Sequence, residues 1–147
     1  MSTVSEPMLY VNVANNCKNG YITFYGFPDT WSPDPVEHGA PPVVMPTIKN
    51  DGNVYQALMV SSGSDADEGS NETQGEVYFN MPNGSQLAIT WHIYGHTETN
   101  PDEGNLAISC TGYTVEYLQA DGTYSADVYW AVSEVNIFTS TIQITEE

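Results

Sequence analysis

The side chains best suited to chemistry lie between Ser61 and Asn100, where the acidic stretch SSGSDADEGSNETQGE runs through an alternating region into WHIYGHTETN. Oxygen ligation of calcium is the first chemistry they bring to mind. With Asp65 as position one of a calcium loop, Asp67 falls at three, Asn71 at seven and Glu76 at twelve, which follows the EF-hand ligand series. The match fails at Ser70, where the sharp turn needs glycine, and at Glu76, which opens a strand-like run where the motif needs a helix. A solvated acidic loop is the expectation, with no metal site. His92 and His96 have the i, i+4 spacing that zinc enzymes use on a helix, but along a strand it separates them by about 13 Å. They share a metal only if Gly95 turns the chain, and His38 adds nothing specific. The chain has no Gly-x-Ser-x-Gly elbow, no Walker loop and no paired-cysteine motif. With 19 acidic residues, some pair will stand at glycosidase spacing by chance, so such a pair carries little information. The expectation is a protein that is not an enzyme and holds no cofactor.

The elements that position these residues show a period of two almost throughout. Leu9, Val11 and Val13 alternate, Ile22 and Phe24 follow, and Tyr55, Ala57 and Met59 make a third run. Val77 and Phe79 face Leu87, Ile89, Trp91 and Ile93 across Asn83-Gly84, a strong short-range hairpin signal. A second hairpin sets Tyr113, Val115 and Tyr117 against Ala126, Val128, Trp130 and Val132 across Asp121-Gly122, and Ile142 and Ile144 supply a last short strand. About eight or nine short strands with glycine- and proline-rich turns predict an all-β, antiparallel β-sandwich filling residues 1–147 as one domain. The longest irregular pieces are Gly26–Pro42, with its prolines around Trp31, and the acidic loop Ser61–Gly75, and loops of that length are usually functional or disordered.

Charge narrows the partners. Only Lys18 and Lys49 stand against 19 acidic residues, for a net charge of −17, which opposes nucleic acid because phosphate-backbone binding depends on Lys and Arg displacing counterions. The same field opposes anionic lipid, leaving zwitterionic headgroups or inserted aromatic side chains as routes to a membrane. Disorder is not the reading of this charge, since 40% hydrophobic residues, ten Tyr and three Trp supply a core. MSTVSEPMLY lacks the basic start and apolar run of a secretory signal, and no apolar run approaches the ~20 residues of a membrane helix. The expectation is a chain made in the cytoplasm, released by another route if at all, and peripheral on its target membrane. Cys17 and Cys110 are expected as free thiols more than as a pair, and the Asn71 and Asn83 glycosylation patterns as chance.

The order SGSDADEG, a Thr/Gln/Gly stretch, a hairpin, then a Trp-led strand closing on Gly and Thr-x-Thr-Asn resembles the central part of the aegerolysin family. Outside Ser61–Asn100 the LYVNVANN strand, the Trp31 loop and the GYTVEYL strand fall in the matching order. The resemblance implies a small acidic β-sandwich without a signal peptide that recognises membrane lipid. It implies sphingomyelin with cholesterol, or ceramide phosphoethanolamine, as target, and a membrane-attack-complex/perforin-like protein as the partner that forms a pore. By the same resemblance Glu68 takes the place of the family's lipid-contacting glutamate and Trp31 that of its first interfacial tryptophan. The run Trp91-His92-Ile93-Tyr94-Gly95, followed by His96, stands for a Trp-Asp-Cys-Pro-Trp-Gly run, so that Tyr94 replaces the second interfacial tryptophan. A lysine of that region is Glu98 here, and the family's two central cysteines are replaced by residues such as Ser62 and Ile93.

Physical chemistry points the same way. A carboxylate beside aromatic faces suits the cationic amine of such headgroups, and Trp and Tyr favour the membrane–water interface. Trp31, Glu68, Tyr94, Trp91 and His96 are the candidate lipid-binding residues. The alternative is a carbohydrate-binding module, in which aromatic side chains stack on sugar rings and the acidic loop holds hydroxyls or calcium.

Overall fold

Alternation of β-branched and aliphatic residues with polar ones dictates the first strand, β1 (Met8–Asn15), in which Leu9, Val11 and Val13 point inward and are fully buried. The same rule gives β2 (Ile22–Gly26), β5 (Val54–Ser61), β6 (Glu72–Asn80), β7 (Gln86–Tyr94), β8 (Asn105–Cys110), β9 (Tyr113–Leu118) and β12 (Ile137–Glu146). Four two-residue strands complete the set among the described residues: β3 (Val43–Val44), β4 (Thr47–Ile48), β10 (Tyr124–Ser125) and β11 (Ala131–Val132). The structure, a computed structural model, describes residues 8–18, 20–28, 42–61, 72–94, 105–132 and 137–147. No helix occurs among them, and so none long and apolar enough to cross a membrane.

The strands form two sheets packed face to face as a β-sandwich. The first has the order β10-β9-β12-β1-β5-β3 with β11 also on β12, and the second has the order β4-β2-β6-β7-β8. Pairing is antiparallel except between β1 and β12, which run parallel from Met8 opposite Ile137 to Asn15 opposite Ile144. Between the sheets lie Leu9, Val11, Val13, Leu58, Val60, Phe138, Ile142 and Ile144 on one side and Ile22, Ile48, Val77, Phe79, Leu87, Ile89, Trp91 and Ile93 on the other, all nearly without exposure. Burying an aliphatic or aromatic side chain contributes about 1.5–3 kcal/mol, so this double row is the main term holding the fold. The chain crosses from one sheet to the other at Met45-Pro46, where Met45 N–H donates to Ala57 O (3.0 Å) and Pro46 O accepts from Phe24 N–H (2.9 Å). It crosses again between β8 and β9, so both sides of the sandwich are laced.

Both expected turns form, and by one device. Gly84 N–H donates to Met81 O and Met81 N–H to Ser85 O; Gly122 N–H donates to Gln119 O and Gln119 N–H to Thr123 O. Each is a three-residue loop whose last residue is left-handed, with φ +89° at both Gly84 and Gly122. Asn83 Oδ1 accepts from Ser85 N–H at 2.8 Å and Asp121 Oδ1 from Thr123 N–H at 2.9 Å, closing both loops alike.

The strands differ from expectation at five places. The second hairpin pairs only Tyr124 with Leu118 and Ser125 with Tyr117; beyond them Val128 is 53% exposed, and β9 pairs with β12 instead. β12 is a ten-residue strand rather than a short one, because Ser140 holds a buried place in its inner row by donating its hydroxyl to Tyr129 O at 2.9 Å. The run Tyr55, Ala57, Met59 is broken by a bulge, since Val11 pairs with Leu58 and Asn12 with Gln56, leaving Ala57 as the extra residue. From there the buried row is Leu58 and Val60, and both Ala57 and Leu58 are fully buried. β6 begins at Glu72, so Thr73, Gly75 and Glu76 belong to a strand rather than to the acidic loop or its border. β8 is additional, its inward side marked by Leu106, Ile108 and Cys110.

Candidate functional site

The two ends of the sandwich follow from the registers. At one end, β1 finishes at Asn15, β12 at Glu146 opposite Tyr113 of β9, and the β6–β7 loop at Asn83. Asn15, 2% exposed, donates through Nδ2 to Gly20 O (3.1 Å) and Ile48 O (3.0 Å) while its Oδ1 accepts from Cys17 N–H (2.9 Å). Asn83 N–H donates to the Tyr113 hydroxyl at 3.0 Å, Asn83 Nδ2 to Thr111 O at 3.3 Å, and Ser85 Oγ to Thr111 O at 3.0 Å. Lys18 N–H donates to Glu146 Oε1, and Glu147 N–H to Gly112 O. Side chains thus tie both sheets together at this end.

The opposite end is where Met8 stands beside Ser61 and Ile137 in one sheet, and Glu72 beside Tyr94 in the other, with Asn105 paired to His92 next to them. β2 runs toward this end past Tyr78, and β3 starts from it beside Met59. The segments 29–41, 62–71 and 95–104 therefore connect strand ends that all point to one end of the sandwich. Trp31, Glu68 and His96 belong to those three segments and lie outside the described residues, as do Asp65, Asp67, Asn71 and His38. Tyr94 closes β7, its backbone opposite Glu72.

Trp91 lies in the core. Its inward side chain is 2% exposed, and the indole Nε1–H donates to Thr73 Oγ1 at 3.1 Å, with Thr73 itself 1% exposed. Gly75 is its partner across the ladder, which leaves room for the indole. Trp91 is thus a core residue that fixes the β6–β7 register beneath Tyr94, and it has no face toward solvent. Thr73 is the partner that sequence reasoning did not single out; its place in the row Thr73, Gly75, Val77, Phe79 is the signal that reveals it.

The metal readings can be followed only in part. Among the described residues no group of three His, Cys, Asp or Glu side chains could hold an ion. Glu76 lies in the middle of β6, where its Oε1 accepts from the Tyr78 hydroxyl at 2.6 Å. That bond, then burial and the Glu76 charge, push the Tyr78 hydroxyl above its ordinary pKa. His92 is half-buried on the outer side of β7, opposite Gln74 and Asn105.

Both cysteines are free thiols at the tied end. Burial, then the charge of Glu146, then Cys110, push Cys17 up to about 11, far from the reactive thiolate range. Cys110 is raised by burial, partly opposed by its contact with Ser85 Oγ at 3.8 Å. Burial also raises Tyr113. Neither thiol has the lowered pKa of an activated nucleophile. No known protein family and no curated protein matches the chain.

Proposed function

We propose that this protein recognises membrane lipid with the end of the sandwich from which the segments carrying Trp31, Glu68 and Tyr94–His96 depart, in the manner of the aegerolysin family. The observation that carries the reading is the common direction of the strand ends flanking those segments: Met8, Ser61, Glu72, Tyr94 and Ile137 in the two packed sheets. Segments far apart in sequence thereby start from one end of the sandwich, which supports a common binding surface. Trp31 and Tyr94 enter the membrane–water interface, where amphipathic rings are favoured. Glu68 takes the cationic amine of the headgroup. His96 extends this rim, and Trp91 acts from the core by holding the hairpin that ends in Tyr94.

A net charge of −17 selects against anionic lipid, and among zwitterionic headgroups the resemblance implies sphingomyelin with cholesterol or ceramide phosphoethanolamine as targets. Lysis then falls to a perforin-like partner. A pore built by this chain alone needs membrane-spanning strands of about 9–11 residues with an apolar outer face. β7 is long enough, but its apolar residues Leu87, Ile89, Trp91 and Ile93 are committed to the core. Sedimentation with vesicles of sphingomyelin/cholesterol, of ceramide phosphoethanolamine and of phosphatidylcholine tests the proposal. Binding to at least one sphingolipid composition is expected, and absence of binding to all of them rejects it.

A further inference from the structure

The outer face of the second sheet carries a side-chain group that the lipid-facing end does not use. β2 bulges between Phe24 and Gly26, so Tyr25 is an extra residue, and Tyr25 and Gly26 together oppose Tyr78 of β6. Bulges re-aim side chains, and Tyr25 is 62% exposed. On its other flank Tyr78 stands opposite Ala88 of β7, which in turn pairs with Ser109 of β8. Gly26 and Ala88 are therefore the ladder partners of Tyr78 in the two directions. Two residues along β6, Glu76 accepts the Tyr78 hydroxyl at 2.6 Å and faces Thr90, beyond which lies Ala107. Phenol and carboxylate are hydrogen-bonded to each other and have the small side chains Ala88, Thr90, Ala107 and Ser109 as cross-strand neighbours.

Charge complementarity says what this group would take. The only Lys residues, Lys18 and Lys49, sit on turns at the tied end, against 19 acidic residues overall. A cation is drawn to such a surface and an anion repelled. A carboxylate beside an aromatic ring attracts a cation through both its charge and the ring quadrupole. The Tyr78 hydroxyl already donates to Glu76, while the carboxylate keeps acceptor sites on its second oxygen. A quaternary ammonium ion needs no hydrogen bond at all, is weakly hydrated, and lays its methyl groups on ring faces.

We propose that Glu76, Tyr78 and Tyr25 form a binding site for a quaternary ammonium ion on the outer face of the second sheet. The site stands apart from the lipid-facing end, because Glu76 is four residues from the Glu72 end of β6, about 13 Å along the strand. It does not depend on the lipid reading. Choline free in solution and choline carried on a headgroup share this chemistry, and the setback from the end favours the free form.

Tetramethylammonium chloride titrated into the isotope-labelled full chain at constant chloride, followed by NMR, tests the site. Saturable shifts are expected at the Tyr25 and Tyr78 rings and the Glu76 amide, with a dissociation constant on the order of 1–10 mM, and none with sodium. Tyr78→Leu and Glu76→Gln, which leave the core untouched, should each weaken binding about fivefold or more, and Tyr25→Ala about twofold. Non-saturating shifts overturn the proposal, as does unchanged affinity in both Tyr78→Leu and Glu76→Gln. Equal affinity for 3,3-dimethylbutan-1-ol, the uncharged isostere of choline, or for methyl glucoside overturns it as well. Phosphatidylcholine vesicles that displace tetramethylammonium identify a headgroup source, and failure to displace it a free one. Retention of tetramethylammonium binding by Trp31→Ala, whatever happens to vesicle sedimentation, separates this site from the lipid-facing end; its loss there overturns the assignment to Glu76.

Discussion

At the end of the sandwich holding Asn15, Asn83, Tyr113 and Glu146, side chains and turn amides bind both sheets together, and both thiols are buried or half-buried. At the opposite end Met8, Ser61, Glu72, Tyr94 and Ile137 finish beside the segments that carry Trp31, Glu68 and His96. The difference teaches a division of labour. Polar side chains at the first end are consumed in satisfying the backbone, as buried polar groups must be, while the second is the end we propose for lipid. Changes at the tied end should therefore lower stability and leave lipid binding alone, and changes at the other end should do the reverse.

The largest effect expected is on the core member beneath the end proposed to face lipid. Trp91→Ala removes a fully packed indole and its bond to Thr73, and should destabilise by about 3–5 kcal/mol in urea unfolding. A loss under about 1 kcal/mol would place Trp91 at the surface instead. At the tied end, Gly112 has φ +88°, and a Cβ there would meet Asn83 Nδ2 at 2.7 Å. Gly112→Ala should cost about 1–3 kcal/mol, with vesicle binding unchanged below the unfolding transition.

The smallest effect is alkaline. Cys17 rises from 9.0 to about 11 in the folded protein. Below pH 9 it is protonated whether folded or not, so its contribution is fully present. Between pH 9 and 11 the unfolded thiol ionises while the folded one does not, and stability falls through that window. Cys17→Ala should reduce the drop in unfolding free energy between pH 8.5 and 10.5 relative to wild type, and an identical drop would contradict the buried placement.

Much of the fold was legible in the sequence because alternation survives wherever the inner row is apolar. Leu9, Val11, Val13 and the pairing of Val77 and Phe79 with Ile89 and Leu87 are cases in point. The misreadings came where one residue broke the row: Ser140 in β12, and the bulge at Ala57. Asp121-Gly122 gave the turn correctly but not the strand after it, since turn chemistry sets a loop and only inward apolar residues set how far pairing runs. β8 offers three half-apolar positions in six residues, a weak signal. For the site, the sequence brought Trp91 in with the run Trp91-His92-Ile93-Tyr94-Gly95, but which residues of a strand face inward follows from the alternation along it. Trp91 shares the inner row with Leu87, Ile89 and Ile93. Glu76 and Tyr78 share one face of β6 by period-two spacing, but Tyr25 was hidden because a bulge and a cross-strand register set it opposite Tyr78, and neither is written in local spacing.

Vesicle sedimentation of wild type, Glu68→Ala, Trp31→Ala and Gly112→Ala on sphingomyelin/cholesterol and ceramide phosphoethanolamine membranes, paired with each variant's unfolding midpoint, tests the division between the two ends most directly. The account predicts that Glu68→Ala and Trp31→Ala lose binding about tenfold or more at wild-type stability, while Gly112→Ala binds normally at a lowered midpoint. Binding that is undiminished in both Glu68→Ala and Trp31→Ala, or that is lost in Gly112→Ala while it remains folded, would contradict it.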